Sequence, residues 1–302
     1  NLGDKRVAVI GTGATAIQCI PHLGSAAKEL YVFQRTPSAV DIRNNRLTDI
    51  DWLQNQEAGW QAKRRRNYES IISGMPVEED LVDDGWTEAF KDLFAFMQDH
   101  DLLKSGAEGI AKAMEIADLK KMEKIRNLAS DILNDQETAE NLKPYYRWLC
   151  KRPCFNDDYL KTYNLPNAHL IDTNGKGVTR ITPKGIVAND IEYEVDCIIF
   201  ATGFEVGTDY SRRAGYGIYG RGEINIEEKF SMTTGYESLF GMHAKEFPNA
   251  FFFGIGQTGF SSTYTYALDE QAIQLSYLLS RAREMGAKTI EPTQEAVDEW
   301  VQ

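Results

Sequence analysis

The residues with the clearest potential for chemistry are the glycines of a short turn near the start of the chain. Gly11 and Gly13 are followed by the small residue Ala16, and this spacing is typical of a dinucleotide-binding turn that joins a strand to a helix. The first glycine permits the tight bend, the second lets a pyrophosphate approach the backbone, and the small third residue lets helix and strand pack closely. A plain tight turn is the alternative. The predicted phosphate-binding residues are Gly11, Thr12, Gly13, Ala14, Thr15 and Ala16.

The residues that follow this turn by about 20 positions indicate which dinucleotide binds. A site for NAD usually carries an acidic residue there, which holds the ribose 2′-hydroxyl. This sequence has Gln34, Arg35 and Thr36 instead. A carboxylate would repel a 2′-phosphate, whereas Arg35 attracts it with a bidentate fork and Thr36 adds a hydroxyl. The pattern favours NADP over NAD, and the alternative is a solvated arginine after a strand.

Two further groups of residues could contact a ligand. Lys151-Arg152-Pro153 places two cations side by side, but from the residues alone a solvated loop is an equally good interpretation. Ala201, Thr202 and Gly203 end an apolar stretch, and the carboxyl end of a strand in an α/β sheet is a usual place for a ligand. On its own this second group is better explained as a simple turn.

The hydrophobic pattern predicts the elements that must position these residues. Residues 5–10 and 30–33 are short apolar runs, which predict buried parallel strands. Between them, Ile17, Ile20 and Leu23 lie at helical spacing. A strand, a glycine turn, a helix and a second strand within about 30 residues form a βαβ unit. The sequence therefore predicts an α/β fold that begins with a Rossmann-like, dinucleotide-binding part.

The residue composition and the hydrophobic pattern change twice along the rest of the chain. The charged stretch at about 47–142 has apolar residues at helical spacing, and we interpret it as a helical insertion because loops rarely run so long without structure. After it, short runs separated by turn residues predict a β-meander, and the last long periodic segment predicts a helix over 267–285. The predicted strands of the meander are 168–171, 178–181, 185–188 and 191–195, and further buried strands are predicted at 196–203 and 250–254.

The composition excludes several classes of protein. Of the 302 residues, 42% are hydrophobic and 26% are charged, which is usual for globular proteins and excludes disorder or a collagen-like repeat. The net charge of −12 argues against nucleic acid as a partner, because phosphates need a cationic surface. The sequence contains no run of 18 apolar residues, so no membrane span is predicted.

Cysteine and histidine usage narrows the choice further. The four cysteines are too few and too scattered for a disulfide framework, which fits the cytoplasm. The four histidines lack the spacing of metal ligands, so we expect no metal site. The chain begins with Asn1 rather than Met, and we therefore expect a fragment of a longer protein. The residues concerned are Cys19, Cys150, Cys154 and Cys197, and His22, His100, His169 and His243.

Taken together, the motifs resemble those of the flavin-dependent Baeyer–Villiger monooxygenases, relatives of the flavin-containing monooxygenases. The order and spacing of the motifs match that family over nearly the whole chain, and the helical insertion is similar to that of members with longer loops. The segments that carry the resemblance are Lys5 to Gln18, Gln34 to Pro37, Lys151 to Pro153 with Asp158-Tyr159, and Asp196 to Phe204.

The resemblance implies two domains that bind two cofactors, NADP and FAD. An NADP-binding domain would cover residues 1–195, with the helical insertion at about 47–142, and the C-terminal part of an FAD-binding domain would cover residues 196–302. The family's first FAD motif precedes this stretch and is not in this sequence. We therefore expect this chain to be the C-terminal portion of an enzyme that uses NADPH, FAD and O2 to convert a small-molecule ketone into an ester or lactone.

The resemblance also implies roles for the paired cations and their neighbours. Arg152 would face the flavin and stabilise a negatively charged peroxide, so it is the predicted catalytic residue. A guanidinium suits this role because it holds an anion without protonating it. Lys151 would hold the 2′-phosphate of NADP together with Arg35 and Thr36.

Three other assignments follow from the same resemblance. Gln18 belongs to the motif that binds NADP through the glycine turn. Gly203, with Ala201 and Thr202, would lie near the FAD. Phe230 stands where many family members carry a tryptophan close to the nicotinamide ribose, and a phenylalanine cannot donate the hydrogen bond that the tryptophan makes.

Two other readings of the motifs remain open. A related NADPH- and FAD-dependent enzyme that oxygenates nitrogen or sulfur shares the turn from Gly11 to Ala16, although such enzymes generally lack the Lys-Arg pair placed before Asp158-Tyr159. The other reading is a fragment that binds NADP without turnover. Titration with NADPH and FAD separates the second reading from the first.

Overall fold

The computed structural model divides the chain into two compact units, Asn1–Phe204 and Glu205–Gln302. The domain boundary predicted after residue 195 remains a prediction. The residues that the structure describes are 1–99, 106–205, 208–232, 235, 237–254, 256–258, 261 and 263–302.

The strands of the described residues form three sheets, and all three lie in the first unit. The strands are β1 (Arg6–Ile10), β2 (Glu29–Gln34), β3 (Val40–Asp41), β4 (Cys154–Phe155), β5 (Ala168–Asp172), β6 (Arg180–Ile181), β7 (Gly185–Ala188), β8 (Ile191–Glu194) and β9 (Cys197–Phe200). A parallel sheet has the strand order β5-β2-β1-β9, an antiparallel sheet has the order β6-β7-β8, and β3 pairs with β4.

Helices follow the strands of the first unit and make up most of the regular structure of the second. A 3₁₀ turn at Trp148–Cys150 precedes β4, and another lies at Arg221–Glu223. The helices are α1 (Ala14–Ala26), α2 (Ile50–Gln54), α3 (Trp60–Ile72), α4 (Gly85–Asp99), α5 (Gly106–Ile132), α6 (Gln136–Asn141), α7 (Tyr159–Thr162), α8 (Tyr210–Ala214), α9 (Ile226–Met232), α10 (Tyr264–Glu284) and α11 (Gln294–Val301).

The predicted βαβ unit is present, and burial explains why it forms. Val7 and Val9 of β1 are fully buried, and Val9 lies opposite Val32 of β2 and Ile199 of β9. β-Branched residues suit such a doubly covered parallel strand. Helix α1 packs against one face of the sheet through Ile17 and Ile20. The α/β fold class predicted from the sequence is confirmed.

The antiparallel strands cover the other face of the sheet. Ala8 and Phe33 pack there against Ile186 and Ala188 of β7. The last three strands of the predicted meander form this antiparallel sheet. The first predicted strand is present, but its assignment to the meander is wrong. That strand, β5, pairs in parallel with β2 in the central sheet. Pairing across more than a hundred residues leaves no local signal, so the short apolar run could not be assigned to a sheet from sequence alone.

The predicted helical stretch 47–142 contains helices α2 to α6, with a core of their own. Phe90 of α4 and Met122 and Ile125 of α5 are buried together with Trp148. Lys121 of α5 forms an ion pair with Asp41 of β3. Burying both charges is tolerated because each is paired. The pair fixes the insertion to the strand that follows the predicted nucleotide site.

The second unit has a small core around Ile226, Ala244, Phe247 and Phe252. The strand predicted at 250–254 is wrong, because its described residues are irregular. The amide of Phe252 donates to the carbonyl of Met242 at 2.8 Å, but no described strand lies beside this run. Of its aromatic side chains, Phe252 packs in the core of this unit and Phe253 is exposed.

The last long helix is present and starts earlier than predicted, at Tyr264. None of the described helices is both long and apolar enough to cross a lipid bilayer. The described residues also include no group of three side chains able to hold a metal ion, and His100 lies outside them.

Candidate dinucleotide-binding site

The glycine turn after β1 is built as a dinucleotide turn requires. Gly11 has a φ of +112°, a conformation that favours glycine. A Cβ atom at this position would collide with the carbonyl oxygen of Ala201. The amide of Ala201 in turn donates to the carbonyl of Ile10 at 2.9 Å. The first glycine is therefore required both by the bend and by the close approach of the segment after β9.

Gly13 lies at the start of α1 and leaves its backbone open. Its φ is −82°, which any residue can adopt, and a Cβ built on it would meet no atom within 4 Å. The exposed amides at the start of this 13-residue helix carry the positive end of the helix dipole. The free space above Gly13 is thus room for an anion next to hydrogen-bond donors.

Some of the other predicted residues are buried and support the fold, and the others are exposed to solvent. Ala16 is fully buried against the sheet, as close helix packing requires. Thr12 is buried, and its hydroxyl donates to the carbonyl of Thr36 at 3.0 Å, which ties the turn to the end of β2. Thr15 and Gln18 are exposed, and the Gln18 amide donates back to the carbonyl of Ala14 at 2.9 Å.

The end of β2 presents the residues predicted to select the dinucleotide. Gln34 is completely buried, and its amide donates to the carbonyl of Asn141 at 2.7 Å. Arg35 and Thr36, which follow it, are exposed. The chain therefore leaves the core directly after Gln34, which places the guanidinium of Arg35 and the hydroxyl of Thr36 at the surface.

Lys151 is brought to this same place from a distant part of the sequence. Its ammonium donates to the hydroxyl of Thr36 at 2.8 Å and lies 4.4 Å from the centre of the Tyr146 ring. Burial, and next the charge of Arg35, lower the pKa of Lys151. Neither Arg35 nor Lys151 forms an ion pair with a carboxylate of the described residues. Two neighbouring cations without such a counter-charge would suit an anion, and their predicted contact with the 2′-phosphate stays a prediction.

Arg152 follows directly on Lys151 and is exposed. Its backbone is held on the C-terminal side, because the thiol of Cys154 donates to the Arg152 carbonyl at 3.4 Å and the amide of Cys154 donates to the carbonyl of Ala39 at 3.3 Å. Within the described residues its guanidinium has no ion pair. The predicted catalytic role of Arg152 stays a prediction.

The cysteine and tyrosine that flank the cations belong to the core. Burial raises the pKa of Cys154 to about 11, so its thiol stays protonated at neutral pH. Tyr159 is almost fully buried, and its hydroxyl accepts from that of Tyr163 at 3.1 Å. Tyr159 of the motif therefore contributes to the core, whereas Asp158 is exposed.

The segment after β9 lies next to the glycine turn. Ala201 is buried and packs on Gly11, while Thr202 and Gly203 are exposed. Gly203 has a φ of +101° and open space around its Cα. This agrees with a turn at the carboxyl edge of the sheet, where α/β proteins bind ligands. Its predicted contact with FAD stays a prediction.

Phe230, the last of the predicted residues, belongs to the second unit. It lies in α9 and is half-buried against the core around Ile226 and Phe252. Its packing accounts for an apolar side chain at this position without a ligand.

Sequence reasoning missed Tyr146, which contacts the site twice. Its ring faces Lys151, and its hydroxyl accepts a hydrogen bond of 2.7 Å from the amide of Ala39. Tyr146 has no motif spacing relative to the glycine turn. The only available signal was its closeness in sequence to the Lys-Arg pair.

An apolar cavity of about 610 Å³ lies beside the turn that carries these cations. It is enclosed by α4, by α5 and by Trp148, Leu149 and Cys150, the three residues before Lys151. Phe96 and Met114 contribute further apolar walls, and lysines and acidic residues line the rest. This volume falls in the range of small-molecule sites.

No protein-family model matches the chain, but individual relatives match it over its whole length. It is 46% identical over 307 residues to neopentalenolactone D synthase of Streptomyces avermitilis, with 100% of this chain and 50% of the relative covered. It is 44% identical over 302 residues to the Baeyer–Villiger monooxygenase ATR8 of Stachybotrys chlorohalonatus, with 100% and 48% covered. The chain thus spans about half the length of these relatives.

Solved structures give the same result. The polycyclic ketone monooxygenase of Thermothelomyces thermophila matches with a TM-score of 0.84 and 38% identity, covering 99% of this chain and 49% of that one. OTEMO in complex with FAD and NADP matches with a TM-score of 0.77 and 26% identity, covering 99% and 56%. The resemblance to Baeyer–Villiger monooxygenases that the motifs indicate is confirmed for this stretch of chain.

Proposed function

We infer that the protein containing this chain is a Baeyer–Villiger monooxygenase, which uses NADPH, FAD and O2 to insert one oxygen atom beside a ketone carbonyl. The balanced reaction consumes the ketone, O2, NADPH and a proton, and yields an ester or lactone, NADP⁺ and water. The observation that carries the proposal is the cluster of Arg35, Thr36 and Lys151 next to the glycine turn, in a chain similar to this family from end to end.

The described residues fit NADP. The open backbone at Gly13 and the start of α1 would hold the pyrophosphate, because free amides and the helix dipole favour an anion. The guanidinium of Arg35 and the ammonium of Lys151 would hold the 2′-phosphate. The 2′-phosphate of NADP would neutralise both charges. NAD has no such phosphate and would leave both cations without a counter-ion.

The fit to FAD is partial within the described residues. The glycine turn that joins β1 to α1 suits NADP. Ala201, Thr202 and Gly203 offer an exposed turn beside it, which would contact the second cofactor. When both are bound, NADPH supplies a hydride and FAD supplies the centre at which O2 is activated.

Arg152 suits the stabilisation of negative charge on oxygen. Its guanidinium cannot lose a proton in a protein, so it holds an anion without protonating it. Attack on a ketone carbonyl places negative charge on the carbonyl oxygen, and a fixed cation there stabilises the tetrahedral intermediate. The backbone contacts of Cys154 hold the Arg152 segment in place before the substrate binds.

The cavity beside Trp148 to Cys150 is the candidate site for the hydrocarbon part of the ketone. Its apolar walls and its volume of about 610 Å³ suit a bulky, apolar molecule rather than a small polar one. Because the cavity wall ends one residue before Lys151, an apolar body held there would remain close to the Arg152 segment.

We also propose that the protein acts in the cytoplasm on a small molecule, without nucleic acid or membrane as a partner. All four cysteines are free thiols, which fits a reducing compartment. The net charge of −12 opposes nucleic-acid binding. Fractionation of cells that produce the full-length protein tests the location, and recovery with the membranes contradicts it.

The reaction class is tested by product analysis. The full-length protein is incubated with NADPH, FAD and air, and with a cyclic ketone, a tertiary amine or a thioether. We expect a lactone from the ketone as the main product. Oxidation of only the amine or the thioether would instead support the nitrogen- or sulfur-oxygenating relatives, and nucleotide binding without any product would support a binding module.

A further inference from the structure

Lys151 is held by more than its hydrogen bond to Thr36. Its ammonium lies over the face of the Tyr146 ring, 4.4 Å from the centroid. The negative face of an aromatic ring attracts a cation at this distance. Without the ring, the neighbouring charge of Arg35 would push the flexible lysine side chain away, since like charges repel.

The hydroxyl of Tyr146 contacts a second segment of the site, the one that follows Thr36. It accepts a hydrogen bond of 2.7 Å from the amide of Ala39, and the carbonyl of Ala39 accepts from the amide of Cys154 at 3.3 Å. Burial raises the pKa of Tyr146, so the hydroxyl stays neutral at physiological pH. One side chain thus connects the segment after Thr36 with the segment that carries Lys151.

We propose that Tyr146 is the positioning residue that sets the preference for a 2′-phosphate, its ring seating the Lys151 ammonium against Thr36 and its hydroxyl fixing the segment that carries Arg35. The inference rests on the proposed NADP site, which does not itself require an aromatic residue here. The side chain of Tyr146 contacts Ala39 and Lys151 and packs against the core of the helical insertion. We therefore expect its replacement to affect the 2′-phosphate rather than the turn from Gly11 to Ala16.

The test compares Tyr146→Leu and Tyr146→Phe in the full-length protein. Dissociation constants for NADP⁺ and NAD⁺ are measured by calorimetry. We expect Tyr146→Leu to weaken NADP⁺ binding about three- to tenfold, from the strength of a cation–π contact, and to leave NAD⁺ binding unchanged. Tyr146→Phe keeps the ring, and we expect it to restore more than half of the lost preference.

The neighbouring tyrosine provides a matched control. Tyr145 is exposed, and its ring lies 5.2 Å from the guanidinium of Arg126 rather than near Lys151. Tyr145→Leu should leave the ratio of the two dissociation constants unchanged. In a Lys151→Ala background, Tyr146→Leu should cause no further change in that ratio, because the group that the ring positions is gone.

Two results would overturn the inference. A Tyr146→Leu variant that weakens NADP⁺ and NAD⁺ equally would show a general structural role, and one that changes neither would show no role. These results leave the proposed function standing if the unmodified protein still prefers NADP⁺. If the unmodified protein shows no such preference, the inference and the proposed NADP site fail together.

Discussion

The ammonium of Lys151 donates a hydrogen bond of 2.8 Å to the hydroxyl of Thr36, although 115 positions separate the two residues in the sequence. The contact joins the end of β2, which carries Arg35, to the segment that carries Arg152. The two segments with the cations predicted from sequence therefore form one surface. An anion bound there would contact both segments at once.

Replacing Arg35 tests the contribution of the first of these cations. We expect Arg35→Ala to weaken NADPH binding about 10- to 100-fold, the value of one or two charge-assisted hydrogen bonds. NADH binding should change less than twofold, since NADH has no 2′-phosphate. Calorimetric titration of both nucleotides checks this, and an equal loss for both would refute the assigned role.

The two glycines of the turn should respond differently to alanine. Gly11→Ala adds a methyl group that collides with the Ala201 carbonyl at a φ of +112°, so we expect the free energy of unfolding to fall by about 1–3 kcal/mol. Gly13→Ala meets no atom of the protein, so stability should hardly change. The methyl would fill the space for the pyrophosphate and weaken NADPH binding about tenfold or more.

Urea denaturation and nucleotide titration of the two variants separate these effects. Each variant is the control for the other, because the substitution is the same and only the surroundings differ. A Gly13→Ala variant that binds NADPH normally would show that the pyrophosphate does not lie over this turn.

Arg152→Ala tests the proposed catalytic step. We expect the variant to bind NADPH and to allow reduction of bound flavin, but to form no lactone, because the cation that stabilises charge on oxygen is missing. Rapid-mixing absorbance follows the reduction and gas chromatography follows the product. A lactone yield like that of the unmodified protein would exclude the role.

The pH dependence of nucleotide preference follows from the environment of Lys151. Burial, and next the charge of Arg35, lower the pKa of this lysine below its ordinary value of 10.5. A lysine binds the 2′-phosphate in its protonated form, so the preference for NADP⁺ should be complete near neutral pH. It should decline as the pH rises past this lowered pKa, and therefore at a lower pH than for a solvated lysine.

Lys151→Arg supplies the comparison for this pH effect. A guanidinium stays charged over the whole range, so the ratio of the dissociation constants for NADP⁺ and NAD⁺ should become nearly independent of pH. Identical pH profiles for the two proteins would show that another group controls the preference.

Filling the cavity tests its assignment to the ketone. Met114 lines the cavity, and Met114→Trp should lower kcat/KM for a polycyclic ketone about tenfold or more while changing that for a small cyclic ketone less than twofold. Leu119 lies on the same helix, is exposed and is not part of the lining. Leu119→Trp is the control, and an equal effect of the two variants would contradict the assignment.

The local part of the site could be predicted from the sequence because its signals are local. Gly11, Gly13 and Ala16 specify a turn between a strand and a helix that are adjacent in the chain. Arg35 lies directly after the next strand, so its place at the edge of the sheet follows from the βαβ unit. These residues need no information from distant segments.

The distant part of the site could not be derived in this way. The contact of Lys151 with Thr36 depends on the pairing of β3 with β4, and each of these strands contains only two residues. Such short strands leave no period-2 pattern. From the residues alone, a ligand contact and a solvated loop are equally good interpretations of Lys151, and only the family resemblance indicates its role. Tyr146, which has no motif, was found only from the structure.

The failed prediction at 250–254 has a related cause. A run of apolar residues predicts a buried strand, but it does not show whether a neighbour is available for backbone pairing. Phe252 is buried in the core of the second unit, although no described strand lies beside it for backbone pairing. The apolar run indicated burial correctly only for Phe252, since Phe253 is exposed, and it was wrong about the strand.

Titration of the unmodified full-length protein with NADPH and with NADH measures what the two cations contribute to binding. We predict that NADPH binds at least about 100-fold more tightly, since Arg35 and Lys151 would both contact the 2′-phosphate. Equal affinities would contradict it, because the surface formed by Arg35, Thr36 and Lys151 would then have no phosphate to bind.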